Sequence, residues 1–171
     1  MKSLVGQLLI APPRECDPSF IRAVILVIQH SAEQSLGLVL NRPTNKPIKQ
    51  AWKSRKKCEC YQHIYSGGPI PSPLIAVHAD KSLAEMKITP DLYYSTQRKN
   101  LARLIQRPER PFKMFKGHAG WGPGQLERWI EVGGWLILSA SHGHVFDASL
   151  DLWKEVLELY QHDTGSVDGI P

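Results

Sequence analysis

Three groups of residues have types and spacing suited to chemistry. The first is GHAGWGPGQLE at 117–127, where Gly117, Gly120, Gly122 and Gly124 fall within eight positions ahead of a helix-forming stretch. Backbone amides converging at a helix start can cradle a phosphate or another anion. Neither nucleotide signature is complete: no Lys followed by Ser or Thr comes after the glycines, as a P-loop requires, and G-x-G-x-G is not the dinucleotide fingerprint. A tight turn with close backbone approach explains the glycines without a ligand, and a pocket for some other anion stays open.

The second group is Cys58, Cys60 and His63, three potential metal ligands within six positions. Structural zinc sites use four ligands and C-x2-4-C spacing, so C-x-C is irregular and a fourth ligand would come from a distant histidine. The lysines before Cys58 suggest a lowered thiol pKa instead, and incidental cysteines are the simplest reading. Cys16, in a proline-rich turn, reads as a small buried filler. The third group is Ser66, His78 and Asp147, a nucleophile, base and acid that can be assembled on paper. No G-x-S-x-G elbow surrounds Ser66, so no catalytic residue is assigned. His142 and His144 would share a face of an extended segment. No metal and no cofactor are expected.

These groups need elements to hold them. Residues 4–11 and 22–29 are apolar and β-branched, with Pro12, Pro13, Asp17 and Pro18 between them, which predicts strand, turn, strand. A hairpin loop at 31–35 leads to a third strand at 36–40. Pro47 opens a short helix with Ile48, Ala51 and Trp52 on one face, Trp52 being core packing or an interface anchor. Further strands are predicted at 74–78, 92–94, 112–116 and 135–140. Thr96 caps a helix with the stripe Leu101, Leu104, Ile105, and the helix after the glycines carries Leu126, Trp129 and Ile130 on one face. Ser149 caps a last helix that buries Leu150, Trp153, Val156 and Leu157, and the tail from Asp163 is expected to be mobile. Strands and helices do not alternate regularly, so an α+β domain with a mixed or antiparallel sheet is expected.

The 171 residues suit one domain, read as 1–162 with a tail at 163–171. With 42% hydrophobic and 22% charged residues, the composition excludes disordered and collagen-like chains. About 70% of the unfolded surface would be buried on folding, enough for a core without disulfides or metal. The longest apolar run, at 23–28, is too short to span a membrane, and the start lacks a signal cleavage site. Three cysteines, an odd number, fit a reducing, cytoplasmic setting. The net charge of +5 is uneven, since from Glu127 onward eight acidic residues face only Arg128 and Lys154. The basic excess gives a candidate surface of Lys53, Arg55, Lys56, Lys57, Arg103, Arg107, Arg110 and Lys113, suited to nucleic acid, an acidic protein or plain solvation.

Several motifs coincide: SLVGQLLIAPP at the start, CDPSFIRAVILVIQH, LGLVLNRP at 36–43, YSGGPI at 65–70, AVH at 76–78, GHAGWGPGQLE at 117–127 and WL at 135–136. FD and a later LW follow near the end. Together, over roughly Leu4 to Leu159, they resemble the YqgE/AlgH family of bacterial proteins. The resemblance implies a cytoplasmic single-domain α+β fold with complex, curved, mixed or largely antiparallel sheets and several peripheral helices. It implies no established enzymatic activity and no recognised DNA-binding module, although some members carry a transcriptional-regulator label. Carried over by motif, a candidate binding cleft comprises Asn41, Arg42, Gly67, Gly68, Pro69, His78, Gly120, Trp121, Gly122, Gly124, Gln125 and Glu127. The chain departs from the family pattern at Trp129, commonly acidic, and at His118, commonly aromatic.

The leading expectation is a non-enzymatic binding or regulatory accessory protein, with a protein or small anionic ligand as partner. The alternatives are a nucleic-acid-binding transcriptional regulator and a small-molecule hydrolase or other enzyme using the glycine-rich cleft.

Overall fold

The computed structural model describes residues 1–14, 17–54, 58–147 and 149–165. Cys16, the basic run Arg55, Lys56 and Lys57, and most of the expected tail lie outside the described residues. Among the described residues the strands are β1 (Gln7–Ile10), β2 (Val24–His30), β3 (Ser35–Val39), β4 (Pro43–Pro47) and β5 (His63–Ser66), followed by β6 (Ile70–His78), β7 (Met86–Thr89), β8 (Leu92–Ser95), β9 (Phe112–Trp121) and β10 (Leu136–Ser139). The helices are α1 (Ile48–Ala51), α2 (Arg98–Gln106), α3 (Gln125–Glu131), α4 (His142–Phe146) and α5 (Leu152–Asp163). None of them is long and apolar enough to cross a membrane.

One sheet runs in the order β10-β1-β2-β3-β9-β6-β8-β7, with the β4–β5 hairpin attached to β9. Its pairings are antiparallel except the short parallel contact of β5 with β9. The sheet curls into a half-barrel that brings the residue before β1 against β7: a Cβ on Gly6 would stand 3.1 Å from the Ile88 carbonyl oxygen. This is the α+β fold with a curved, largely antiparallel sheet that the sequence predicts.

Strand alternation explains why the central segments are apolar throughout. Leu8, Ile10, Val24, Leu26, Ile75, Val77 and Phe115 point into the curl, where Val145 of α4 and Leu152 and Val156 of α5 fill it. The intervening Leu9, Ala11, Ile25 and Val27 face outward under Leu126 of α3. On the other half of the outer face, Ala76, Phe112 and Met114 pack under Leu101, Leu104 and Ile105 of α2. Trp52 belongs to this layer, stacked under the Arg98 guanidinium at 4.2 Å, so it is core packing.

Some local expectations are corrected. The glycine-rich stretch is not all turn: β9 continues through Gly117 and Gly120 to Trp121. Helix α2 is capped from a distance, because the Glu85 carboxylate accepts hydrogen bonds from the Thr96 and Gln97 amides at 2.8 and 3.0 Å. Helix α5 is capped by Asp151, not Ser149, and Leu150 is exposed. His142 and His144 lie in a helix, where Ser141 and His144 form a capping box.

Candidate functional site

The motif residues converge on the far end of β9 because glycines let backbones meet there. A Cβ on Gly67 would stand 2.2 Å from the Gly117 carbonyl oxygen, and one on Gly68 would stand 2.3 Å from the His118 carbonyl carbon. Only hydrogen fits between these chains. This contact seats the turn before β6 on β9, so that Pro69 and Ile70 lie beside Gly120. Beyond Trp121 the chain turns through Gly122 and Gly124, the latter at φ +65°, and α3 begins. The Gln125 side-chain oxygen accepts the Gly122 amide at 3.0 Å, which closes the turn with a protein group.

Between these elements lies a groove of about 230 Å³ walled by Phe20, Pro69, Trp121, Gln125, Trp129 and Trp135. The Trp121 and Trp135 rings meet edge to face at 6.2 Å, and Phe20 meets Trp135 likewise at 5.5 Å. Such edge-to-face contacts fix the rings, and because Trp121 and Trp135 are buried, Trp129 supplies most of the accessible indole surface. Trp129 is 48% exposed and forms the outer wall. It leans on Gly134, where a Cβ would stand 2.7 Å from the indole Cε3. Among the lining residues the only charged group is Asp17, whose carboxylate also accepts the Ser19 amide at 2.8 Å.

The other cleft residues act around the groove. Asn41 accepts the Val24 amide at 3.0 Å and donates to the Arg22 carbonyl at 2.7 Å. Arg42 donates to the Ser19 carbonyl at 2.6 Å. Together they hold the loop that presents Asp17 and Phe20. Arg22, at φ +55°, is held further by Asp151 at 2.5 Å and by stacking on Trp153. Glu127 points away from the groove to His30, 2.6 Å from its Nε2, while His30 Nδ1 accepts the Leu4 amide. The bond from His30 holds the Glu127 carboxyl below the usual carboxylate range.

His78 lies outside this groove, fully buried beneath α2. Its Nδ1 accepts the Asp80 amide at 3.2 Å, which places the ring proton on Nε2, 2.8 Å from Ser95 Oγ. The Ser95 hydroxyl donates to the Leu83 carbonyl at 2.6 Å. A general base would accept the serine proton, whereas here the histidine donates, so the pair is a structural relay. Burial lowers the His78 pKa further. Ser66 sits across β9 from β6, opposite Lys116, and Asp147 follows α4, so the trio with His78 does not assemble.

Cys60 is buried beside Ile48 and Ile64, and burial pushes its thiol pKa up. Among the described residues no three His, Cys, Asp or Glu side chains come together as metal ligands, so Cys58, Cys60 and His63 do not form a cluster. The described basic residues divide. Arg103 and Arg107 line a polar cavity with Asp80, whose carboxylate pairs with Arg110 at 2.8 Å. Lys113 stacks over Tyr65 at 4.6 Å, and the Lys53 carbonyl accepts from Arg98.

Sequence reasoning missed Asp17, Phe20, Trp129 and Trp135 as groove residues. The signal available was the abundance of tryptophan, since three of the five tryptophans meet here.

Comparison with known proteins fits this architecture. The family model described as AlgH-like, DUF179, matches residues 8–165. A UPF0301 protein of Streptomyces avermitilis is 32% identical over 195 aligned positions, covering 100% of this chain and 94% of the relative. One from Myxococcus xanthus is 34% identical over 82% of this chain and 81% of its own. The crystal structure of protein DIP2367 from Corynebacterium diphtheriae superposes with a TM-score of 0.73 at 27% identity, over 91% of this chain and 90% of that one. The solution structure of the AlgH protein from Pseudomonas aeruginosa shares the fold, with a TM-score of 0.74 at 22% identity over the full length of both. This chain therefore belongs to the AlgH-like UPF0301 family, whose members carry no established activity in their names.

Proposed function

We propose that this chain is a non-enzymatic binding protein with a regulatory or accessory role, and that its recognition surface is the tryptophan groove. The observation that carries this reading is the convergence of Phe20, Trp121, Trp129 and Trp135 on one opening with a single carboxylate, Asp17. Indole faces attract cations and flat groups, and a nearby carboxylate adds directionality for a guanidinium. The groove's volume suits one side chain better than a whole cofactor, so the occupant is an arginine side chain of a partner polypeptide. The reading places the protein in the cytoplasm and takes residues 1–162 as the working domain.

The test is selection from a random peptide display library on the intact protein, with Trp129→Ala as the counter-selection. Arginine-bearing peptides should be enriched, and their affinity, read by tryptophan fluorescence, should fall at least tenfold in Trp129→Ala. Recovery only of peptides indifferent to Trp129 would refute the reading.

The nucleic-acid alternative is supported by Arg103 and Arg107 flanking one cavity. It requires affinity for duplex or single-stranded DNA that falls steeply with salt and with Arg103→Ala. The hydrolase alternative has less support, because the buried His78 donates to its serine partner.

A further inference from the structure

At the opposite end of β9 a second cleft of about 580 Å³ opens beside Lys113. Lys113 occupies an unusual register position. Phe112 and Met114 face α2, whereas Phe115 and Val77, the pairing partner of Lys113, face into the apolar curl. Alternation therefore places Lys113 in the inward row, where an apolar residue belongs. Its ammonium lies over the Tyr65 ring, and among the described residues no carboxylate reaches it within ion-pair distance. Lys113 is half-buried, and a cation partly withdrawn from water without a counter-charge carries a cost; functional sites are where such local exceptions persist. Burial also lowers the Lys113 pKa.

The rest of the cleft limits what can neutralise it. Pro43, Tyr61, Tyr65, Phe146 and the aliphatic face of Pro111 supply apolar and aromatic walls. Arg110, at the mouth, is engaged by Asp80. Glu109 and Asp147 stand on the lining too, and the Asp147 side chain is mostly exposed. Carboxylates at the rim oppose a polyanion, while a single inner cation favours one negative charge.

We propose that this cleft binds a small monoanionic organic acid with a flat apolar body, an aromatic carboxylate or sulfonate, whose acid group meets the Lys113 ammonium. The site is separate from the tryptophan groove and stands or falls independently of it.

The probe is 8-anilinonaphthalene-1-sulfonate, followed by fluorescence on the full chain and displaced by benzoate, benzyl alcohol or inorganic phosphate. The expected result is one saturable site that benzoate empties, while benzyl alcohol, without charge, and phosphate, without a ring, leave it filled. Lys113→Met should weaken the benzoate-displaceable probe at least tenfold, and Lys113→Arg should restore most of that affinity. Near-ultraviolet circular dichroism confirms that each variant is folded. Benzoate affinity should also fall as pH rises past the lowered Lys113 pKa, with Tyr61, His63, Tyr65, Glu109, Arg110 and Asp147 as the other titratable groups facing the cleft. Mutating Lys113 to Met removes its share of that pH dependence and leaves theirs. Unchanged affinity in Lys113→Met, or displacement by phosphate as effective as by benzoate, would overturn the proposal.

Discussion

The two ends of β9 carry openings of opposite character, although one strand runs through both. At the Trp121 end, glycines bring two backbone segments together and large rings wall a narrow, nearly uncharged groove. At the Phe112 end, a lysine sits where the pattern demands an apolar residue, and a wider cleft forms around it. The difference teaches that one strand can frame an opening in two ways. The groove is made by packing, so its residues also stabilise the fold. The cleft holds its key charge against the preferences of the fold, so that residue is dispensable for stability.

Substitutions can break or sharpen this contrast. The largest effect is expected for Gly68→Val, whose Cβ would collide with the His118 backbone at a positive φ of 151°. Such overpacking against backbone should cost more than about 4 kcal/mol and leave little folded protein by urea denaturation. Trp135→Ala removes a buried indole that Phe20 and Trp121 both touch, and should cost about 3–5 kcal/mol by the same measurement. Asn41→Ala should cost about 1–3 kcal/mol, since it leaves the Val24 amide and Arg22 carbonyl unanswered. It should also loosen Phe20, seen as increased amide exchange over residues 17–22.

Glu85→Gln tests the distant cap and should cost about 1 kcal/mol at neutral pH. Burial opposes the Glu85 charge, but the bonds from Asn100, Gln97 and Thr96 outweigh it and lower its pKa. A lowered carboxylate pKa stabilises the fold above its ordinary value and loses that contribution as pH falls through the folded value. The gap between the wild type and Glu85→Gln should therefore close below about pH 4. The smallest effect is expected for Lys113→Met, whose unfolding free energy should match or exceed the wild type by up to about 1 kcal/mol. A large loss there would erase the contrast between the two ends.

The fold was legible where burial on both sheet faces leaves an unbroken apolar run, as in β2 and β3. It was less legible where strands are polar or glycine-rich. β4 reads Pro-Thr-Asn-Lys-Pro, and the end of β9 looks like a turn because its glycines answer a partner chain about fifty residues away. Of the site, Pro69, Gly120, Trp121 and Gln125 could be found because their motifs are local. Phe20, Trp129 and Trp135 were missed: they come from separate segments that only the fold brings together, and helix periodicity grouped Trp129 with Leu126, whereas Leu126 is buried and Trp129 is half exposed. His78 shows the converse. Its motif position suggested a cleft, but a buried hydrogen-bond relay uses both ring nitrogens.

The pairing of β1 with β10, Gln7 opposite Ser139, has a consequence during synthesis. At a ribosomal rate of about 5–20 residues per second, one edge of β1 waits some ~7–25 seconds before its partner emerges. During that interval a strand with three apolar residues in a row, Leu8, Leu9 and Ile10, presents unpaired amides, the condition that invites wrong pairings. A nascent chain stalled just before β10 should therefore keep the β10-facing amides of β1 open to hydrogen exchange, whereas release of the last strand should protect them.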